Sequence, residues 1–283
     1  MTTLLFPGAN LRLLRQLLYN PAATFHPGQW ETIENLVIKH SRLLLVQRTD
    51  WGKSIVYFLA TYLLRQQQAG PTLLISPLLA LIRNQIAAAQ RLDIKAATIN
   101  SSNLAQWPLI SKALANNKID ILLISPERLA NKTFREQMLL PIMERIGLFV
   151  VDEAHCISDW GHDFRPDYRQ IKRIIPSLPP NIPLLATTAT ATNRVINDIK
   201  EQFGKNIKIC RGSLARTSLQ LQNIYLPSQA ERMAWLVEYL PQLPDSNIIY
   251  TLTIRDSQRL AKWLQVNGIA VQAYHSELTT TRV

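Results

Sequence analysis

Short uninterrupted apolar runs, separated by longer stretches with helical spacing, recur from Leu43 to Phe203. Leu43–Val46, Thr72–Ile75, Ala96–Ile99, Asp120–Ile124, Leu148–Val151 and Leu184–Ala186 read as strands, most of them apolar enough to be covered on both faces. Upstream, Asn10 to Tyr19 carries Leu11, Leu13, Leu14, Leu17 and Leu18 around Arg12 and Arg15, an amphipathic helix ended by Asn20-Pro21. Further helices are expected over 30–39, from Ser54 to Gln67 and over 193–203. Gly70-Pro71 and the proline-rich 176–183 punctuate the pattern. Strands alternating with helices predict an α/β fold with a doubly wound parallel sheet. After a linker at 212–218, a second series is expected: strands at 219–226, 247–250 and 269–273, with helices at 229–240 and 257–266.

In a parallel sheet, ligands sit beyond the carboxyl ends of the strands, so the residues following each run matter most. After Leu148–Val151 come Asp152 and Glu153. A carboxylate there can hold Mg²⁺ while its neighbour orients a water. After Leu43–Val46 come Gln47, Arg48, Thr49, Asp50, Trp51, Gly52, Lys53 and Ser54. Strand, tight turn and helix N-terminus present backbone N–H groups to phosphates, with Lys53 neutralising charge and Ser54 reaching Mg²⁺. Asp50 stands against this: a unit charge 4 Å from a phosphate charge costs about 4 kcal/mol at an effective dielectric of 20. Downstream of the acids, Trp160, Phe164 and Tyr168 interleave with His162, Arg165 and Arg169. Aromatic faces among cations suit stacking on nucleobases beside a phosphate backbone.

Asp152-Glu153-Ala154-His155, continuing through the aromatic-rich run to Arg169, resembles the DEAH box and following loop of RecQ-family DNA helicases in superfamily 2. The 47–54 loop is similar to the family's Walker A, with Gln47 in place of the first glycine and Asp50 where glycine is common. Phe25-His26-Pro27-Gly28-Gln29 resembles motif 0, in which Gln29 would read the adenine edge; His26 stands where relatives carry Arg, and Ala22 where they carry an aromatic. Ser76-Pro77 and Ser125-Pro126 resemble the motifs that contact the DNA backbone, and Thr187 to Thr192 resembles motif III. The resemblance implies a RecA-like P-loop domain over 1–212 and a partial second RecA-like domain over 213–283. It implies ATP and Mg²⁺ as cofactors, and 3′-to-5′ unwinding of DNA, with single strands and forked duplex as partners. It assigns phosphate to Lys53, Mg²⁺ to Ser54 and Asp152, the attacking water to Glu153, and coupling to His155 with Thr188 and Thr190. DNA contacts fall to Ser76, Pro77, Ser125, Trp160, His162, Phe164 and Arg165. The family's later motifs, its arginine finger, zinc-binding domain and winged helix have no counterpart here, so a fragment poorly active alone is expected.

Composition narrows the rest. The 283 residues allow roughly two domains, and 47% hydrophobic residues suffice for a sizeable core. No long uncharged apolar run argues for a membrane span, and Met1 to Gly8 lack the form of a signal peptide. Two cysteines, Cys156 and Cys210, fit a reducing cytosol and leave no zinc-ligand spacing. A net charge of +11 suits a polyanionic partner. Two other classes stay open: a non-catalytic nucleotide- or DNA-binding module, favoured by Asp50, and a superfamily 2 helicase acting on RNA.

Overall fold

The structure, a computed structural model, describes residues 7–77, 79–158, 166–179, 181–204, 206–213, 219–244 and 246–277. The chain divides into two compact units, Met1–Arg216 and Thr217–Val283.

The first unit opens with helices α1 (Pro7–Leu18) and α2 (Gln29–Val37), then β1 (Arg42–Val46), α3 (Lys53–Gln66), β2 (Thr72–Ile75), α4 (Leu79–Gln90) and β3 (Ala96–Ile99). It continues through α5 (Trp107–Ala115), β4 (Ile121–Ile124), the short helical turns α6 (Glu127–Ala130), α7 (Lys132–Phe134) and α8 (Leu140–Met143), and β5 (Leu148–Val151). It closes with α9 (Ile171–Ile174), β6 (Leu184–Thr188), α10 (Asn193–Phe203) and β7 (Lys208–Arg211). The seven strands form one sheet in the order β3-β4-β2-β5-β6-β1-β7. Every ladder is parallel.

The period of two along each strand builds a core on both faces. Leu44, Val46, Leu73, Ile75, Leu122, Ile124, Phe149 and Val151 pack on one face with residues of α9 and α10. Leu43, Leu45, Leu74, Ile121, Leu123, Leu148 and Val150 pack on the other, under Leu14, Leu17, Trp30, Ile33, Leu36 and Val56 of α1, α2 and α3. This is the expected doubly wound sheet. Register brings all carboxyl ends to one edge: Val46 pairs with Thr188, Val151 with Ala186, and Ile75 with both Val151 and Ile124. β7 was not expected; its Lys208 and Arg211 are exposed on an edge strand whose sequence carries no apolar run.

In the second unit, α11 (Gln229–Tyr239) begins with a reciprocal capping box between Ser228 and Glu231, and α12 (Ile254–Val266) with Thr253 accepting from the Asp256 N–H. The helices meet where Trp263 Nε1 donates to Met233 O at 3.4 Å and Arg259 reaches Gln229 Oε1 at 3.4 Å. Here the sequence reading needs correction: among the described residues, none of the segments 219–226, 247–250 and 269–273 forms a strand. The segments 247–251 and 271–274 line a cleft of about 420 Å³ over α12 and make no ladder with each other. Ile248 is 79% exposed and Tyr250 90%.

Candidate nucleotide site

Three connections meet at the carboxyl edge of the sheet. The first follows β1. Gln47 N–H still donates to Thr188 O at 3.1 Å, after which the chain turns through Asp50 and Gly52 into α3. Both residues are left-handed, at φ 64° and 87°. At Gly52 the conformation and the space coincide: a Cβ would lie 2.6 Å from Ile55 Cδ1 and 2.7 Å from Gln29 Nε2. Thr49 and Asp50 are exposed and Trp51 is buried. Lys53, the first residue of α3, turns its ammonium back on the loop, donating to Gln47 O at 2.9 Å and Arg48 O at 3.3 Å. The loop is thus closed around the cation that would meet a phosphate.

Gln29 is already engaged by the protein. It is fully buried; its Oε1 accepts the His26 N–H at 2.8 Å and its Nε2 donates to Trp51 O at 2.6 Å. The side chain braces the start of α2 against the phosphate loop instead of presenting an open edge to a base, while His26 is exposed.

The second connection follows β5. Asp152 is 8% exposed. Its Oδ1 accepts from Thr187 Oγ1 at 2.5 Å and from the Glu153 N–H at 3.0 Å, and its Oδ2 from Gln85 Nε2 at 3.4 Å. Burial raises its pKa, and the Glu153 charge adds to this; the Thr187 and backbone hydrogen bonds and the Lys53 charge pull the other way. Glu153 occupies the left-handed region at φ 50°, a conformation that costs a non-glycine residue free energy and clusters at functional sites. Its Oε2 lies 3.3 Å from His155 Nδ1.

The third connection follows β6. His155 Nδ1 lies 3.0 Å from Thr188 Oγ1, which itself donates to Thr190 O at 2.9 Å. The Thr188 proton is therefore committed, and the hydrogen-bond network places a proton on His155 Nδ1. The structure thus brings together Lys53, Ser54, Asp152, Glu153, His155, Thr188 and Thr190.

Ser76 and Ser125, expected to contact DNA, follow β2 and β4 at this same edge. Ser76, Pro77 and Ser125 are buried, and Ser76 Oγ has no hydrogen-bond partner among the described residues. Their position just past paired strand ends puts them inside the sheet's edge. Tyr168, read as part of the stacking run, is fully buried and donates to Asp152 O at 3.0 Å. Trp160, His162, Phe164 and Arg165 lie outside the described residues.

Sequence reasoning reached Thr187 only as the start of the run resembling motif III, and did not mark Gln85 and Tyr57. Thr187 directly follows Ala186, the partner of Val151, so it stands opposite Asp152; only the β5–β6 register reveals this. Gln85 and Tyr57 lie on helices with no local motif to mark them.

Nothing in the geometry resists Mg²⁺. A buried carboxylate that feels the Lys53 charge suits a hard cation that keeps several waters and needs only one or two carboxylates. Ser54 and Asp152 are the protein groups that would hold it.

Comparison with known proteins identifies the family. A DEAD/DEAH box helicase family model matches residues 26–199. The chain is 33% identical over 261 residues to the ATP-dependent DNA helicase RecQ of Haemophilus influenzae, covering 91% of this chain and 40% of that protein. It is 32% identical over 264 residues to the ATP-dependent DNA helicase Q1 of Mus musculus, covering 90% and 40%. The chain therefore spans about 40% of the length of these relatives. The crystal structure of the DUF1998 helicase MrfA superposes with a TM-score of 0.68, at 19% identity, over 90% of this chain and 40% of that one. Parallel sheet, phosphate loop and acidic strand end together define a RecA-like helicase domain. With the family model covering more than half its length, the chain belongs to the DEAD/DEAH box helicase family.

Proposed function

We propose that this chain carries the ATP-hydrolysing part of a RecQ-type DNA helicase, with unwinding in the 3′-to-5′ direction on single-stranded and forked DNA as the activity of the whole protein. The observation that carries the reading is the Asp152–Glu153 pair at the end of β5, with the Lys53 charge acting on the buried Asp152 carboxylate. The names of the similar proteins, both ATP-dependent DNA helicases, support it. In this reading residues 1–212 form the ATP-binding domain and 213–283 begin a second RecA-like domain.

Mg²⁺, when bound, neutralises charge on the phosphates and orients them. The chain's own groups do the rest. Lys53 leaves the Gln47 and Arg48 carbonyls to meet the phosphates. Ser54 and Asp152 face the metal, and Glu153 accepts a hydrogen bond from the attacking water. His155 and Thr188 join the acid-bearing turn to β6, so a shift in one is felt by the other. Trp160 and Phe164 stack on exposed bases, where each contact is worth ~1–3 kcal/mol.

ATPase measured with single-stranded DNA, with RNA and with neither tests the reading. Stimulation by DNA well above that by RNA is the expected result. Equal or greater stimulation by RNA overturns the DNA assignment, and no nucleotide binding overturns the site.

A further inference from the structure

Tyr57 and Gln85 form a buried polar pair behind the proposed metal ligands that the chemistry above does not use. Tyr57 is 1% exposed and Gln85 9%. Gln85 Nε2 donates to Tyr57 Oη at 2.9 Å and to Asp152 Oδ2 at 3.4 Å. Ser54, one turn before Tyr57 on α3, acts on the Tyr57 hydroxyl electrostatically. Gln85 therefore joins Tyr57 to the carboxylate assigned to the cation.

The orientation of the Gln85 amide is fixed by its neighbours. Turned over, it would set a carbonyl oxygen against the Asp152 carboxylate, acceptor against acceptor. As it stands, both amide protons are used, and Oε1 is buried with no hydrogen-bond partner among the described residues. Buried acceptors are almost always satisfied, so an orphan one beside a carboxylate calls for a donor.

We propose that Gln85, held by Tyr57, is a positioning residue for the Mg²⁺ site: its Nε2 orients the Asp152 carboxylate, and its Oε1 would accept a hydrogen bond from a water held at that site. This rests on the nucleotide site proposed above and deepens it. Groups that orient a metal ligand without touching the metal change metal affinity or activity by roughly 10–100-fold when removed.

The test uses the full chain saturated with ADP and Mn²⁺ as the probe, free Mn²⁺ being counted by electron paramagnetic resonance. Gln85→Leu, of similar volume but without hydrogen-bonding atoms, is expected to weaken Mn²⁺ binding by roughly 10-fold or more. ADP affinity measured in EDTA should stay at the unaltered chain's value, which a general loss of packing would not allow. Tyr57→Phe removes one hydroxyl and should weaken Mn²⁺ binding in the same direction by less. Unchanged Mn²⁺ affinity in Gln85→Leu overturns the inference; if that variant does not fold, unchanged affinity in Tyr57→Phe does so. If the unaltered chain binds no ADP, the nucleotide reading itself fails, and this inference falls with it.

Discussion

β1 and the segment 247–250 are built from the same kind of residue, Leu43-Leu44-Leu45-Val46 in one and Asn247-Ile248-Ile249-Tyr250 in the other. In the first unit, β1 lies between β6 and β7, hydrogen-bonded to both, and Leu43 to Val46 are completely buried. In the second, 247–250 leads into a well-capped helix, as β1 leads into α3, yet it joins no ladder and leaves Ile248 and Tyr250 in solvent. The two regions show that an apolar run followed by a helix is only half of a parallel sheet. The neighbours come from elsewhere in the chain: β1 and β2, consecutive in sequence, are separated in the sheet by β5 and β6. A parallel strand completes its hydrogen bonds only when such remote segments arrive.

Hydrogen exchange should show this contrast most strongly. Amides of β1 and β5 are expected to exchange only through global opening, and those of 247–251 and 271–274 orders of magnitude faster. Comparable protection in the two units would break the comparison. Next in size, Lys53→Ala should reduce ATP affinity by 100-fold or more while leaving β1 protection unchanged; unaltered affinity, by calorimetry, would remove the phosphate-loop reading.

Asp152→Asn tests the first unit from inside. The Asp152 pKa is raised, chiefly by burial. The folded state therefore favours the protonated acid, and this contribution to stability is present below the unfolded carboxylate pKa. It is lost as pH rises through the higher folded value. At pH 7 without metal, the Asn variant should melt a few degrees higher, about 2–4 °C per kcal/mol for a unit of this size, and the gap should close toward acid pH. Melting curves against pH decide this; an Asn variant less stable at pH 7 would mean that the carboxylate is held favourably in its charged form. The smallest effect is expected at Asp50. It is exposed and left-handed, so its charge is screened, and Asp50→Gly should tighten nucleotide binding only several-fold. Weaker binding in that variant would show that the aspartate supports the turn.

The apolar runs of the first unit were legible because most are buried on both faces and need no partner to be recognised. The placement of Asp152 and Glu153 directly after β5, and of Lys53 and Ser54 at the start of α3 after the loop that follows β1, was legible in the same way. What escaped had a nonlocal cause. β7 carries Lys208 and Arg211 where an inner strand would carry apolar side chains. Thr187 meets Asp152 only through the β5–β6 register. The engagement of Gln29 was hidden because an amide suited to an adenine edge is equally suited to a backbone N–H and carbonyl, and it holds those here. The serines 76 and 125 follow paired strands, and the adjacent chain ends bury them.

The engagement of Gln29 has a thermodynamic consequence. A purine that reads this residue cannot simply add hydrogen bonds; it must replace those to Trp51 O and the His26 N–H. Base selection becomes an exchange between two bonded states, and the net gain of such an exchange is on the order of 1 kcal/mol or less. Discrimination between ATP and GTP should therefore be shallow at equilibrium. The exchange also releases the Trp51 carbonyl, two residues ahead of Lys53, so the choice of base and the freedom of the phosphate loop are linked variables: a nucleotide that wins Gln29 does so by loosening the strap that holds the loop shut.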